Sequence, residues 1–301
     1  MSLSKVPDNE IQELIDGANS LRKHFKKDTV FTCGILNAKS GYCSQDCAFC
    51  AQSVHFDTGV KTYPLVEENT IIEKALYLED AGATRFSIVT SGFKLNDQEI
   101  DIVCQAVNRI IEKTNLIICS SLGTLNETIA NKLKQSGITN YHHNLETARS
   151  FFHKICTTHD YDDDIETVKV AKKFGLKVCS GGIFGLGENW EQRVELGFTL
   201  KELNVDSIPI NFLNPISGTA LENQAVMSSM EALKCIAIFR MINPDKDIVI
   251  CGGRETALKE DQDKLFSAGA NGLMIGNYLT TMGRNIETDI EMIKAQDLTV
   301  A

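Results

Sequence analysis

Short runs of apolar and β-branched residues recur along the chain, separated by longer stretches whose apolar residues fall three or four apart. Eight runs stand out: 32–38, 85–90, 116–121, 139–144, 177–183, 207–212, 247–251 and 272–275. Several are almost continuously apolar, as parallel strands covered on both faces are. The stretches between them predict amphipathic helices. Ile71, Ile72, Ala75, Leu76 and Leu78 share a face in 68–81, as do Ile100, Val103, Val107 and Ile110 in 97–112, and Met230, Leu233, Ile236 and Ile238 in 227–242. Gly82, Gly137, Gly175 and Gly269 each stand just before a strand, where a helix-ending glycine belongs. About eight such units in succession predict an α/β protein, a (β/α)8 TIM-type barrel, with a doubly wound open sheet as the alternative. No Pro-rich or low-complexity linker interrupts them. One domain over 1–301 is therefore expected, with a leading helix at 9–26 and a closing helix after 283.

Composition narrows the function classes. A net charge of −10 repels nucleic acid and anionic membranes, so neither is expected as a partner. No run of about 18 apolar residues exists to span a bilayer, and residues 1–9 lack the apolar core of a secretion signal. Ten cysteines in a chain read as cytoplasmic point to metal binding or redox chemistry rather than to disulfides.

Cys43, Cys47 and Cys50 form a C-x3-C-x2-C triplet on a polar loop. Three thiolates can each ligate one iron of a 4Fe–4S cube and leave the fourth iron open. An open iron chelates the amino and carboxylate groups of S-adenosyl-L-methionine and passes an electron to its sulfonium. Two readings compete: a zinc site completed by His55, whose spacing suits no usual zinc pair, and three unliganded core cysteines.

Residues 37–53, NAKSGYCSQDCAFCAQS, resemble the cluster loop of the biotin synthase family of radical S-adenosylmethionine enzymes. The resemblance runs from about residue 30 to 282, through Leu122-Gly123-Thr124-Leu125, Tyr141 to Thr147, Lys177 to Glu188, Pro209 to Leu213 and Gly252 to Glu255. It implies sulfur insertion into dethiobiotin, electrons from a flavodoxin or ferredoxin-type reductant, and a homodimer. It also assigns roles: Phe49 beside the adenine, Glu146 on the ribose, Gly182 and Gly185 where backbone nears the cofactor, and Asn144 and Asn211 on the ureido ring. Radical relatives such as a maturase or mutase, and a non-catalytic Fe–S carrier, are the alternatives.

The resemblance further implies an auxiliary cluster that donates sulfur, best known as 2Fe–2S on three cysteines and one arginine. The matching positions here are Ser87, Cys119, Cys179 and Arg254, and serine is a poor substitute for a thiolate. Cys33 and Cys251 compensate. With Cys119 and Cys179 they place one cysteine on each of four alternate strands, which feed one interior layer of a barrel. A four-iron auxiliary cluster on Cys33, Cys119, Cys179 and Cys251 is expected, with Arg254 as a nearby donor and a 2Fe–2S cluster as the alternative. Cys104, Cys156 and Cys235 read as structural. A second departure is Asp164, where relatives carry a basic residue that pairs with the cofactor carboxylate; His159 and Arg254 are candidates to replace it.

Overall fold

The structure, a computed structural model, describes Pro7 and residues 10–301, so residue 9 of the expected leading helix lies outside the described residues. The strands are β1 Thr29–Lys39, β2 Arg85–Thr90, β3 Ile117–Ser121, β4 Asn140–His142, β5 Lys177–Cys179, β6 Gly182–Phe184, β7 Ser207–Phe212, β8 Asp247–Ile250, β9 Gly272–Met274 and β10 Thr299–Val300. The helices are α1 Ile11–Lys26, α2 Glu68–Asp80, α3 Asp97–Ile111, α4 Glu127–Gln135, α5 Arg149–Phe152, α6 Tyr161–Lys173, α7 Trp190–Glu202, α8 Ser229–Ile242, α9 Arg254–Leu258 and α10 Ile286–Lys294. All barrel pairings are parallel. They run from β1 through β2, β3, β4, β5, β7, β8 and β9, which returns to β1. The expected (β/α)8 barrel is therefore present and closed, with β5 and β6 together forming its fifth stave.

Strand alternation sorts side chains between the two sides of the barrel wall. On β2, Phe86 and Ile88 are fully buried beneath the helices, whereas Arg85, Ser87 and Val89 line an interior cavity. Helix starts carry their own signals. Before α3 the Asn96 side chain accepts from the Glu99 amide (2.9 Å) and the Glu99 carboxylate accepts from the Asn96 amide (3.0 Å). This reciprocal cap contributes about 1 kcal/mol, and Asn189 with Gln192 repeats it before α7. At the other ends, Gly82, Gly137, Gly175 and Gly269 all have positive φ, as stop signals require.

Two elements differ from expectation. The run 177–183 breaks at Ser180-Gly181, where the chain passes so close to β7 that a Cβ on Gly181 would stand 2.0 Å from the Pro209 carbonyl oxygen. The tail is not a lone helix. After α10 the buried Leu298 turns the chain inward, and β10 pairs with Thr29 and Val30 of β1.

A buried ion pair ties α10 to the barrel: Arg254 Nη2 donates to Asp289 Oδ2 (2.5 Å), both side chains being fully buried. Removing one partner strands a buried charge. Asp289→Ala is expected to cost about 3–5 kcal/mol in urea unfolding, and a loss under 1 kcal/mol would refute this account of the C-terminal anchor.

Candidate functional site

The cysteine loop leaves the end of β1 and folds back on itself. Cys43 N donates to Gln52 O (3.0 Å) and Val54 N to Cys43 O (2.9 Å), while Cys50 N donates to Cys47 O (2.9 Å). The Gln52 amide oxygen accepts from Gly41 N (3.2 Å), so Gln52 closes the base of the loop. Asp46 pins the loop to the segment after α5, accepting from Thr157 N (2.8 Å), Cys156 Sγ (3.2 Å) and both threonine hydroxyls at 157 and 158. Burial opposes ionisation of Asp46, but these four donors hold its carboxyl well below the ordinary range. His55 Nε2 lies 3.1 Å from the Ser44 carbonyl oxygen.

A cavity of about 370 Å³ fills the barrel interior. Cys33, Cys119, Cys179 and Cys251 line it from four alternate staves, as barrel layering anticipates. Burial pushes the Cys33 thiol up to about 11 and Cys179 up to about 12, and it raises Cys119 and Cys251 further. Cys33 also raises the other three, and Cys179 raises Cys119 and Cys251. Four clustered thiols in a low-dielectric layer resist ionisation unless a cationic group joins them, and iron ligated by thiolate is such a group. Among the described residues, no three Cys, His, Asp or Glu side chains close around one point as a single ion requires. The donor set and the room around it fit an Fe–S cluster, whose ligands stand around several irons. At the cavity mouth, Phe49 and Cys50 face inward. Burial raises the Cys50 thiol to about 11, with Cys43 and Glu146 pushing the same way.

Asn144 and Glu146, beyond the end of β4, and Asn211, near the end of β7, line the same cavity. Backbone contacts orient both amides. Asn144 Oδ1 accepts from Gly181 N (3.2 Å), Asn211 Oδ1 accepts from Gly252 N (3.1 Å), and Asn211 Nδ2 donates to Gly182 O (3.3 Å). Each amide keeps a further hydrogen or lone pair for a ligand. Glu146 sits at φ 58°. Its carbonyl accepts from Ile183 N (2.8 Å), so close to Gly182 that a Cβ there would stand 2.4 Å away. Gly182 and Gly185 do not line the cavity. Their missing side chains make room for the Glu146 backbone and for Met227.

Arg254 does not reach the cysteine layer. Its donors go to Asp289, Gln262 and Tyr278, although its charge lowers the Cys251 thiol slightly against the dominant effect of burial. Asp164 is buried between two histidines, 2.8 Å from His143 Nε2 and 3.4 Å from His159 Nε2. Burial works against the His159 cation, but Asp164 and Cys156 raise its pKa to about 10. Both of its ring nitrogens are taken within the protein, Nε2 by Asp164 and Nδ1 by Cys156 (3.1 Å) and Gln45 (2.8 Å). Cys104 and Cys235 pack inside α3 and α8 as structural residues. Cys156 departs from that reading, since it contacts Asp46 of the cluster loop and lies 3.1 Å from His159 Nδ1.

Sequence reasoning missed Arg85, Asn140 and His142, all of which line the cavity. The signal was strand alternation: Arg85 is two residues before Ser87, and His142 two before Asn144. His142 Nδ1 lies 3.5 Å from Cys179 Sγ, and burial followed by the His143 charge depresses its pKa to about 4.

Burial, then the Asp164 charge, raises the Glu146 carboxyl to about 8, above its ordinary value of about 4.3. Between those values the folded chain holds a proton that the unfolded chain has released. The stabilisation linked to that proton is complete below about pH 4 and is lost as pH rises through about 8. Glu146→Gln does not titrate. The ligand-free variant is expected to gain stability over wild type at pH 8.5 relative to pH 5 in urea unfolding, and a difference independent of pH would refute the burial argument.

The chain matches the Radical SAM superfamily over residues 38–200 and the Biotin and Thiamin Synthesis associated domain over 209–299. The two matches share one barrel, because β5 and β6 both bond to β7 across the boundary. Among solved structures, methylornithine synthase (PylB) superposes with a TM-score of 0.84 at 20% identity, covering 99% of this chain and 91% of its own. The FeFe-hydrogenase maturase HydG from Carboxydothermus hydrogenoformans also gives 0.84, at 14% identity, covering 99% of this chain and 74% of its own. At such identities the likeness is one of fold. Biotin synthase from Syntrophus aciditrophicus (strain SB) is 55% identical over 294 residues, covering 98% of this chain and 90% of that one. Biotin synthase from Citrifermentans bemidjiense is 51% identical, covering 97% and 89%. Identity at this level, along nearly the whole barrel, places the chain in the biotin synthase family.

Proposed function

We propose that this chain converts dethiobiotin to biotin with a 4Fe–4S cluster on Cys43, Cys47 and Cys50 and an auxiliary four-iron cluster on Cys33, Cys119, Cys179 and Cys251. The observation that carries the proposal is that one thiol of the loop triplet, Cys50 at the mouth, and four strand thiols in the wall face one cavity, with Asn144, Asn211 and Glu146 on the same surface. When bound, the two groups supply the electron that cleaves S-adenosyl-L-methionine to a 5′-deoxyadenosyl radical and the sulfur that enters the product.

The chain's own residues supply position. Asn144 and Asn211, held by backbone bonds, present an amide donor and acceptor to the N–H and C=O groups of the ureido ring. Glu146 accepts from the ribose hydroxyls, and Gly182 serves it indirectly by admitting its backbone. Gly185 serves in the same way, by giving room to Met227. Phe49 offers the adenine an apolar face. Asn37 Nδ2 donates to Leu279 O (2.9 Å), which holds a mouth-lining segment against β1 and limits water at the radical site. The proposal extends to one domain working as a cytoplasmic homodimer that takes electrons from a flavodoxin or ferredoxin-type donor. The ten free thiols suit a reducing compartment.

The test is anaerobic incubation of the reconstituted chain with dethiobiotin, S-adenosyl-L-methionine and reductant. Biotin is the expected product, whereas 5′-deoxyadenosine without biotin would exclude the substrate. Asn144→Ala and Asn211→Ala are each expected to raise the KM for dethiobiotin about 10-fold, the loss of one hydrogen bond of about 1.4 kcal/mol. An unchanged KM in both would remove them from the substrate site.

A further inference from the structure

We propose that Arg85 is a positioning residue of the auxiliary site, its Nε–H aimed as a hydrogen-bond donor at the sulfur of the group held by Cys33, Cys119, Cys179 and Cys251. This rests on the reading of those four thiols given above.

Arg85 stands opposite Cys33 in the β1–β2 register, and two residues further along β2 Ser87 stands opposite Cys119. The guanidinium is fixed on two sides. Nη2 donates to Asp247 Oδ2 (2.9 Å), and Cζ lies 3.4 Å from the centroid of the Phe31 ring. Asp247 is itself held by Lys26 (3.0 Å) and Asn271 (2.9 Å), so the fork has little freedom to turn. With the fork so fixed, Nε is buried and has no acceptor among the described residues. Buried guanidinium donors are rarely left unpaired, because the desolvation cost is then uncompensated. The side chain lines the cavity beside the thiols. An anionic cluster would bring the feature that the site lacks, a sulfur acceptor for Nε–H.

A cation and an N–H donor next to a cluster favour its more negative, reduced state, so they raise its potential. Arg85→Lys keeps a charge able to reach Asp247 but loses the planar fork and Nε–H. Arg85→Met removes both. The experiment is a redox titration of the full-length reconstituted chain, with iron content and Mössbauer spectra, using the loop cluster as internal reference. The expected result is a downward shift of the auxiliary potential in both variants, or loss of the auxiliary iron alone, with the loop cluster unmoved. Biotin formed per 5′-deoxyadenosine is expected to fall several-fold. An Arg85→Lys chain with full iron, wild-type auxiliary potential and unaltered spectrum would overturn the proposal and leave Arg85 a partner of Asp247 alone. A wild-type chain holding iron for the loop cluster only would fail earlier, at the four strand thiols, and needs no Arg85 variant to detect.

Discussion

Replacing Cys50 with alanine is expected to abolish 5′-deoxyadenosine formation while leaving the barrel folded. Two thiolates cannot hold a cube that already lacks one protein ligand, so the electron has no route to the sulfonium. The expected fall is at least about 1,000-fold, equivalent to losing about 4 kcal/mol of transition-state stabilisation. The fold cost is small, because Cys50 is only partly buried and its loop is held by backbone bonds and by Asp46 rather than by side-chain packing. Iron content is expected to drop by about four per chain, one cube, with thermal unfolding nearly unchanged. Cys43→Ala and Cys47→Ala are expected to behave alike. His55→Ala separates this reading from zinc. A cube held by three cysteines makes no use of an imidazole, so the variant is expected to keep its iron and its S-adenosyl-L-methionine cleavage. A His55→Ala chain that loses its metal would reinstate the three-thiolate, one-imidazole site.

The barrel was legible because its signals are local. β2 and β7 match the expected runs residue for residue, and α2, α3 and α8 lie within one or two residues of the apolar periodicity. The break between β5 and β6 was read through as one run: Ser180-Gly181 interrupts it for only two residues, and the approach of Pro209 from β7 is what kinks the chain there. The same holds for β10, two residues whose strand character depends on β1 being alongside. For the site, alternation on neighbouring strands was enough to bring four cysteines to one wall. It could not say where long side chains point. Arg254 was read as a donor to that wall because it matches the arginine that the family resemblance implies, yet the turn at Gly253, with φ 79°, starts α9 and carries its guanidinium to Asp289. Arg85 was passed over although it shares a strand face with Ser87. The pairing of His159 with Asp164 and Cys156 joins loops that the sequence separates from the cysteine triplet by more than a hundred residues.

Cys251→Ala is expected to uncouple the two halves of the reaction: 5′-deoxyadenosine continues to form and biotin does not. Cys251 is buried in the wall near Val249 and Met274, far along the chain from the loop triplet, so its loss leaves the radical-generating thiols intact. It removes one of four soft ligands from a layer in which Ser87 cannot replace it, because a neutral hydroxyl binds iron poorly beside thiolates. Iron is expected to fall by about four per chain, leaving one cube, and biotin by at least about 100-fold, equivalent to about 2.7 kcal/mol. A buried cysteine acting only as a small hydrophobe makes a different prediction. Cys235, fully buried on α8, is the control: Cys235→Ala is expected to cost about 1 kcal/mol of stability and to change neither iron content nor product ratio. If Cys251→Ala behaved like Cys235→Ala, the auxiliary group would rest on Cys33, Cys119 and Cys179 alone. Its fourth ligand would then have to come from the cavity's remaining donors, of which His142, 3.5 Å from Cys179 and held neutral by burial, is placed to supply one.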